Sequence, residues 1–321
     1  MRIFEIEHVT DQFKEGRPRD YLKLAAGYDR AKLSAPALKE LAYLHAEAED
    51  AAGALAVGRD FVKRFGKLDD ALMVARVRRL MADCAIRLGE GALDEAIRNY
   101  RASLVKEVPA TEQLEVLGRL IRLVGIERND PDRALEVLAQ AEKLVKAEGV
   151  DDDGRKAFRK AVAAAGDVWL WQGKRDEAQK LYARAEALLP RPVPPQVRAA
   201  RIGAYPNALR EHVAGGNYGA ALDLVDQWDD LFPTDRLNGQ TFFWRGKVLA
   251  LRGQPREAAR YLDRAVIVAL GAGFETEARW LLAEALDAAG KKDDARKQLA
   301  KLIATGLRDE YVKKAIDRLK K

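Results

Sequence analysis

The chain has 321 residues, of which 33% carry a charge and only 7% are aromatic. Its one cysteine, Cys84, excludes an intrachain disulfide, and no apolar run in the sequence is long enough to span a membrane. The first residues also lack the apolar core of a secretion signal, so we expect a cytoplasmic protein. We expect Cys84 to be buried and unreactive, because unpaired cysteines usually behave as small apolar side chains.

The formal net charge of +6 comes from the C-terminal end of the chain. Residues 1–190 contain 33 basic and 33 acidic side chains, whereas residues 291–321 contain 11 basic and 5 acidic ones, a difference of six. Basic side chains at the end of a last helix suit the negative end of its dipole. We therefore expect a solvated basic capping helix, and a nucleic-acid-binding patch is the alternative.

Apolar residues recur every three or four positions from about residue 19 onward, which predicts an all-α chain. A leading helix (19–31) and a closing helix (308–320) enclose seven antiparallel pairs, each of a helix A and a helix B. The A helices are predicted near 35–49, 72–88, 112–125, 155–172, 196–214, 238–252 and 274–289. The B helices are predicted near 52–65, 93–107, 131–147, 175–189, 218–231, 255–270 and 293–304.

A proline-rich segment divides the predicted pairs into two sets. Residues 191–195 read Arg-Pro-Val-Pro-Pro, which cannot continue a helix, and we predict a kink there. The kink separates N-terminal repeats (18–190) from C-terminal repeats (196–321), which end in the basic capping helix. Residues 1–17 are predicted to form an N-terminal arm.

One residue pattern recurs through the pairs at intervals of about forty residues. A glycine ends helix A, an alanine follows five positions later, a larger residue four positions after that, and a small residue three further on. The pattern reads Gly173, Ala178, Tyr182, Ala185 and again Gly253, Ala258, Leu262, Ala265. We predict left-handed backbone at these glycines, because glycine adopts it at the least cost.

A second glycine lies inside helix A, where it costs about 1 kcal/mol relative to alanine. Gly166 and Gly246 precede Ala178 and Ala258, the alanines of their B helices, by twelve positions each. We predict that each glycine faces its alanine across the hairpin, so that the two helix axes can approach.

These offsets resemble the tetratricopeptide repeat over roughly residues 70–305, most closely around residues 166–190 and 216–233 and next around 242–265. The resemblance implies a right-handed superhelical solenoid of about seven helix-turn-helix repeats with terminal capping helices. It also implies that the A helices line a concave groove. The candidate groove residues carried over from that geometry are Arg119, Arg122, Lys160, Trp171, Arg210, Phe243, Lys247 and Trp280.

The sequence offers no constellation for catalysis, for a cofactor or for a metal. His8, His45 and His212 are far apart and form no cluster with the spacing of metal ligands. The carboxylates at 151–153 and at Asp229 and Asp230 border predicted helix ends, where we expect them to be solvated.

We therefore predict a non-enzymatic scaffold that binds a peptide or helical segment of a protein partner in the groove. Basic and aromatic side chains there would suit an acidic segment. Self-association, through an uncapped end or through the N-terminal arm, is a further expectation. The alternative is an α-solenoid that binds single-stranded RNA; the zero net charge of residues 1–190 and the lack of a repeated polar doublet count against it.

Overall fold

The structure is a computed structural model that describes residues 18–190, 193–268 and 273–320. Every regular element within these ranges is helical, which confirms the all-α prediction. The helices are α1 (Pro18–Ala25), α2 (Ala35–Glu47), α3 (Ala51–Phe65), α4 (Ala71–Leu88), α5 (Leu93–Ser103), α6 (Ala110–Arg122), α7 (Pro131–Glu148), α8 (Asp152–Trp171), α9 (Arg175–Ala187), α10 (Pro195–Ala214), α11 (Tyr218–Leu231), α12 (Gln240–Leu251), α13 (Pro255–Val268), α14 (Glu275–Ala288), α15 (Lys292–Ala304) and α16 (Glu310–Leu319).

The helices from α2 to α15 form successive hairpins, from α2–α3 to α14–α15, with α1 before them and α16 after them. Their bounds agree with the predicted A and B helices to within a few residues. The leading helix is shorter than predicted, because α1 ends at Ala25 and a separate 3-10 turn follows at Arg30–Lys32. Further 3-10 segments are Glu90–Ala92, before α5, and Pro233–Asn238, which connects α11 to α12.

The chain divides into two compact units, whose boundary in sequence lies within α8, between Ala165 and Gly166. We call the residues up to 165 unit 1 and those from 166 onward unit 2. The N-terminal arm (1–17) lies outside the described residues, as do two residues of the proposed kink at 191–195. The division of the repeats at that kink stays a prediction.

Glycine ends the A helices at the two positions that the sequence pattern singles out. Gly173 and Gly253 have φ values of +74° and +78°, which strain an L side chain. The amides that follow donate back to carbonyls of the last helical turn, Lys174 to Trp169 O at 2.9 Å and Gln254 to Leu249 O at 2.9 Å. Carbonyls that the helix leaves without a partner are thereby satisfied, and helix A ends at a fixed residue.

The close approach within the hairpins is confirmed, but the predicted facing pairs are wrong. Gly166 lies against the ring of Tyr182, and Gly246 lies against Leu262. Each of these residues follows the alanine, Ala178 or Ala258, by four positions. A helical side chain leans toward the N-terminus of its helix, so the larger residue covers the turn that its alanine occupies.

Candidate protein-binding face

The A helices of consecutive hairpins pack on one another. In unit 1, α2 contacts α4, and in unit 2, α14 contacts α12 on one side and α16 on the other. Side chains cross between these neighbouring helices and form a shared surface on them. We call this surface the A-face of that unit.

Ion pairs cross the A-face of unit 1 from α4 to α6, and each joins residues 36 positions apart. They are Arg76–Glu112 at 2.7 Å, Arg79–Glu115 at 2.5 Å and Arg119–Asp83. The hydroxyl of Tyr100 donates to the same Asp83 carboxylate. This face thus holds charges of both signs in an ordered row, in which each of these three arginines has an acidic partner.

The A-face of unit 2 combines ion pairs with aromatic rings. It is formed by Lys247 of α12, by Glu277, Trp280, Glu284 and Asp287 of α14, and by Glu310, Tyr311, Lys314 and Arg318 of α16. Lys247 pairs with Glu277 at 2.6 Å, and Arg318 pairs with Asp287 at 2.6 Å and also with Glu284. Each helix of this face is therefore tied to its neighbour by at least one cross-helix ion pair.

The two rings of this face, Trp280 and Tyr311, are half-buried and each lies beside a cation. The Arg318 guanidinium lies 5.6 Å from the centre of the Trp280 ring, and the Lys314 ammonium lies 4.9 Å from that of Tyr311. Both rings pack on an apolar core that is formed by side chains of α14, α15 and α16 and includes Leu302. This packing fixes the positions of the two rings, and part of each ring remains exposed.

Burial raises the pKa of the Tyr311 hydroxyl to about 12, and the neighbouring carboxylates of Glu277 and Glu310 add to the increase. The phenol therefore stays protonated at physiological pH and acts as a hydrogen-bond donor between the two carboxylates. The arrangement orders the face.

The structure places three predicted residues at or beside the A-face of unit 2. Lys247 and Trp280 belong to it. Phe243 is 4% exposed, because its ring stacks on Phe274 with centroids 4.8 Å apart. It lies beneath the Lys247 ammonium, 5.6 Å from the centre of its ring, and supports that side chain without presenting a surface of its own.

The other predicted residues are not members of this cluster. Arg119 is exposed and paired with Asp83, Arg122 is half-buried at the end of α6, and Lys160 is exposed on α8. In unit 2, Trp171 is half-buried at the end of α8, and Arg210 is exposed on α10, where it donates to Asn207 Oδ1 at 2.6 Å.

Sequence reasoning missed the partners that organise both faces. In unit 2, Glu284 and Arg318 are 34 positions apart, and in unit 1 the paired residues are 36 apart. Opposite charges separated by one repeat length are a signal that the sequence contains. That spacing would have identified Arg318, although its stacking on Trp280 could be seen only in three dimensions.

One expectation about carboxylates is wrong. Asp229 was expected to be solvated at a helix end, yet it is 9% exposed and accepts from Arg236 at 3.2 Å and from Arg245 at 3.1 Å. Trp228, beside it, is fully buried. Asp229 is buried because Arg236, in the 3-10 segment that follows α11, donates back to its carboxylate.

Among the residues that the structure describes, no group of three or more His, Cys, Asp or Glu side chains is arranged to hold a metal ion. No helix in the described ranges is both long and apolar enough to cross a bilayer.

No known family profile matches the sequence, and no curated protein sequence matches it. Solved structures do. A tetratricopeptide repeat protein from Parabacteroides merdae shares 15% identity over 88% of this chain and 97% of its own, with a TM-score of 0.42. The C-terminal part of a tetratricopeptide repeat-containing protein from Cytophaga hutchinsonii shares 13% identity over 97% of this chain and 98% of its own, with a TM-score of 0.44. A thermophilic tetratricopeptide repeat protein from Thermus thermophilus shares 15% over 79% and 99%, with a TM-score of 0.33.

The helical-repeat architecture follows from the hairpins themselves. Glycines with positive φ follow several A helices, the pattern alanines Ala178 and Ala258 are fully buried, and glycines within two A helices lie against Tyr182 and Leu262. The chain is therefore an all-α protein built of repeated helical hairpins.

Proposed function

We propose that this protein is a non-enzymatic scaffold that binds a peptide or helical segment of a protein partner on the A-face of unit 2. The observation that carries the proposal is the pair of half-buried rings, Trp280 and Tyr311, each beside a cation on a face tied by cross-helix ion pairs. Rigid aromatic side chains give large contact area at little entropic cost, and they dominate many protein interfaces.

The charges of this face favour a partner segment of mixed or basic character. The carboxylates of Glu277, Glu284, Asp287 and Glu310 outnumber the basic groups of Lys247, Lys314 and Arg318. An acidic segment would compete with internal partners that already hold these cations. The acidic partner expected from the sequence therefore gains less support here, and it stays a prediction for Lys160 and the neighbouring surface of unit 1.

Site-specific photocrosslinking tests the proposal. A photoreactive amino acid is placed at Lys314, on the A-face, and in a matched protein at Lys297, which is exposed on the B helix α15. In the native host, we expect a protein adduct of discrete mass from position 314 that is absent from position 297. The adduct should be lost when Trp280→Ala is added, while the circular dichroism spectrum stays unchanged.

The other candidate functions appear as distinct outcomes of the same experiment. An adduct sensitive to ribonuclease would favour the RNA-binding alternative, and an adduct of twice the chain mass would favour self-association. Identical adducts from positions 314 and 297, or none from either, would contradict binding at the A-face.

A further inference from the structure

The loop between α15 and α16 combines exposed positive charge with an exposed leucine. We define the C-terminal tip as Lys301, Leu307, Arg308 and Lys313, around the loop between α15 and α16. Because a helix rises 1.5 Å per residue, Lys301 and Lys313 each lie within one turn of that loop. All four residues are exposed, and Leu307, at 53%, exceeds every other exposed large apolar side chain in the described residues.

The nearby carboxylates are engaged elsewhere. Asp309 caps α16 and accepts from the amides of Tyr311 at 3.0 Å and Val312 at 2.9 Å. Glu310 pairs with Lys314 at 3.5 Å. Asp263 of α13 is close enough for the charge of Lys301 to lower its pKa, against the larger effect of burial. Arg308 and Lys313 are exposed, within the segment that carries the whole net charge of the chain, and Asp317, four positions after Lys313 on α16, is the further exposed carboxylate of that helix.

We propose that the C-terminal tip docks on a membrane surface that contains anionic phospholipid. The cations would lie against headgroup phosphates and carboxylates, and Leu307 would insert at the boundary with the acyl chains. Clustered basic side chains are attracted to anionic leaflets, and an apolar side chain among them adds a contribution that depends on the lipid interface. The tip shares no residue with the A-face, although Lys313 directly precedes Lys314 of that face.

The composition of the tip favours lipid over nucleic acid. Proteins that bind single strands stack bases on exposed aromatic rings. The exposed large apolar side chains in the described ranges are all aliphatic, from Leu68 to Leu319. A phosphodiester backbone gains nothing from Leu307, whereas a lipid interface does.

Vesicle co-sedimentation of the full chain tests the proposal. The probes are phosphatidylcholine vesicles with and without phosphatidylserine. The tip variant carries Lys301→Glu, Arg308→Glu and Lys313→Glu. The matched control carries three charge reversals at exposed residues of other helices, Arg101→Glu, Lys146→Glu and Lys180→Glu, and so has the same net charge.

We expect binding that requires phosphatidylserine, a loss of about tenfold or more in the tip variant, and a much smaller loss in the control. Leu307→Ser, which keeps every charge, should weaken vesicle binding several-fold and leave binding to a single-stranded oligonucleotide unchanged. An equal loss in the two triple variants would show an effect of net charge only and overturn the proposal. So would vesicle binding that is insensitive to Leu307→Ser, or absent from the wild-type chain. Equal urea midpoints of all variants establish that they are folded.

Discussion

Arg236 and Asp167 form an ion pair of 3.0 Å in the interior of unit 2, although 69 residues separate them in the sequence. Their side chains are only 7% and 2% exposed. Arg236 also donates to Asp229, and Asp167 accepts the Tyr182 hydroxyl at 2.9 Å. These residues come from α8, α9, α11 and the segment Pro233–Asn238, so a single ionic cluster connects consecutive hairpins.

Removal of Arg236 should be strongly destabilising. Arg236→Met removes the arginine that pairs with the buried Asp167. It also leaves Asp229 with one of its two arginines, Arg245. Breaking a buried pair in this way typically costs about 3–5 kcal/mol, because a charge remains buried without compensation. We expect a loss of that size in the free energy of unfolding, measured by urea titration. Arg210→Met, at an exposed arginine of the same unit, should change it by less than about 0.5 kcal/mol. Similar effects of the two substitutions would contradict the role of the cluster.

Asp229 should make the stability of unit 2 sensitive to acid. Burial alone raises the pKa of this carboxyl, but the charges of Arg236 and Arg245 outweigh burial and lower the pKa from 3.8 to about 2. A carboxyl whose pKa is lower in the folded state contributes stability that is present above its unfolded pKa. That contribution is lost as the pH falls through the folded value. We expect roughly 2–3 kcal/mol to disappear between about pH 5 and pH 1.

The contribution of Asp229 can be isolated by substitution. Asp229→Asn should lower stability at neutral pH and flatten the dependence of unfolding free energy on pH in the acid range. Asp223→Asn, on an exposed residue of the same helix, should leave the wild-type dependence intact. Parallel curves for wild type and Asp229→Asn would show that other groups cause the acid sensitivity.

The hairpin register could be predicted from the sequence because close packing dictates it locally. Few residues other than glycine fit at positions such as Gly166, and few others favour the backbone of Gly173, so both positions mark the register directly. The partner of Gly166 was predicted wrongly, since the direction in which the Tyr182 side chain leans is a three-dimensional property.

The ionic features resisted prediction for a different reason. Asp229 stands beside Asp230 at the end of a helix, a context that is usually solvated, and its burial depends on Arg236 folding back and on Asp167 far away in the chain. Among the residues of the A-face of unit 2, the register of the repeats predicted only Lys247 and Trp280. Their partners follow from the stacking of the A helices, which places residues one repeat length apart in contact.

Cys84 should resist thiol reagents in the native protein. It is 1% exposed, and burial raises the pKa of its thiol to about 11, with a smaller opposing effect from the charge of Arg87. The thiolate is the reactive species, so both access and ionisation are limiting. We expect no reaction with an aromatic disulfide reagent at about pH 8 on the time scale of minutes, and stoichiometric reaction in denaturant. Rapid modification of the folded chain would place Cys84 at the surface.

The hairpin contacts predict that replacing glycine by alanine has opposite effects on stability at two glycines of unit 2, Gly166 and Gly203. A Cβ atom at Gly166 would fall 2.5 Å from Cε1 of the Tyr182 ring, whereas a Cβ atom at Gly203, on the exposed side of α10, would meet no atom within 4 Å. Both residues lie inside helices, where alanine is favoured over glycine by about 0.5–1 kcal/mol. Gly203→Ala should therefore stabilise the protein by about that amount. Gly166→Ala should destabilise it by about 1–3 kcal/mol, because the ring must move within a packed interior. Urea unfolding of the two variants measures the change in stability. The intrinsic helix preference of alanine is common to both positions. A change of the same sign in the two variants would therefore mean that Gly166 and Tyr182 do not pack as described.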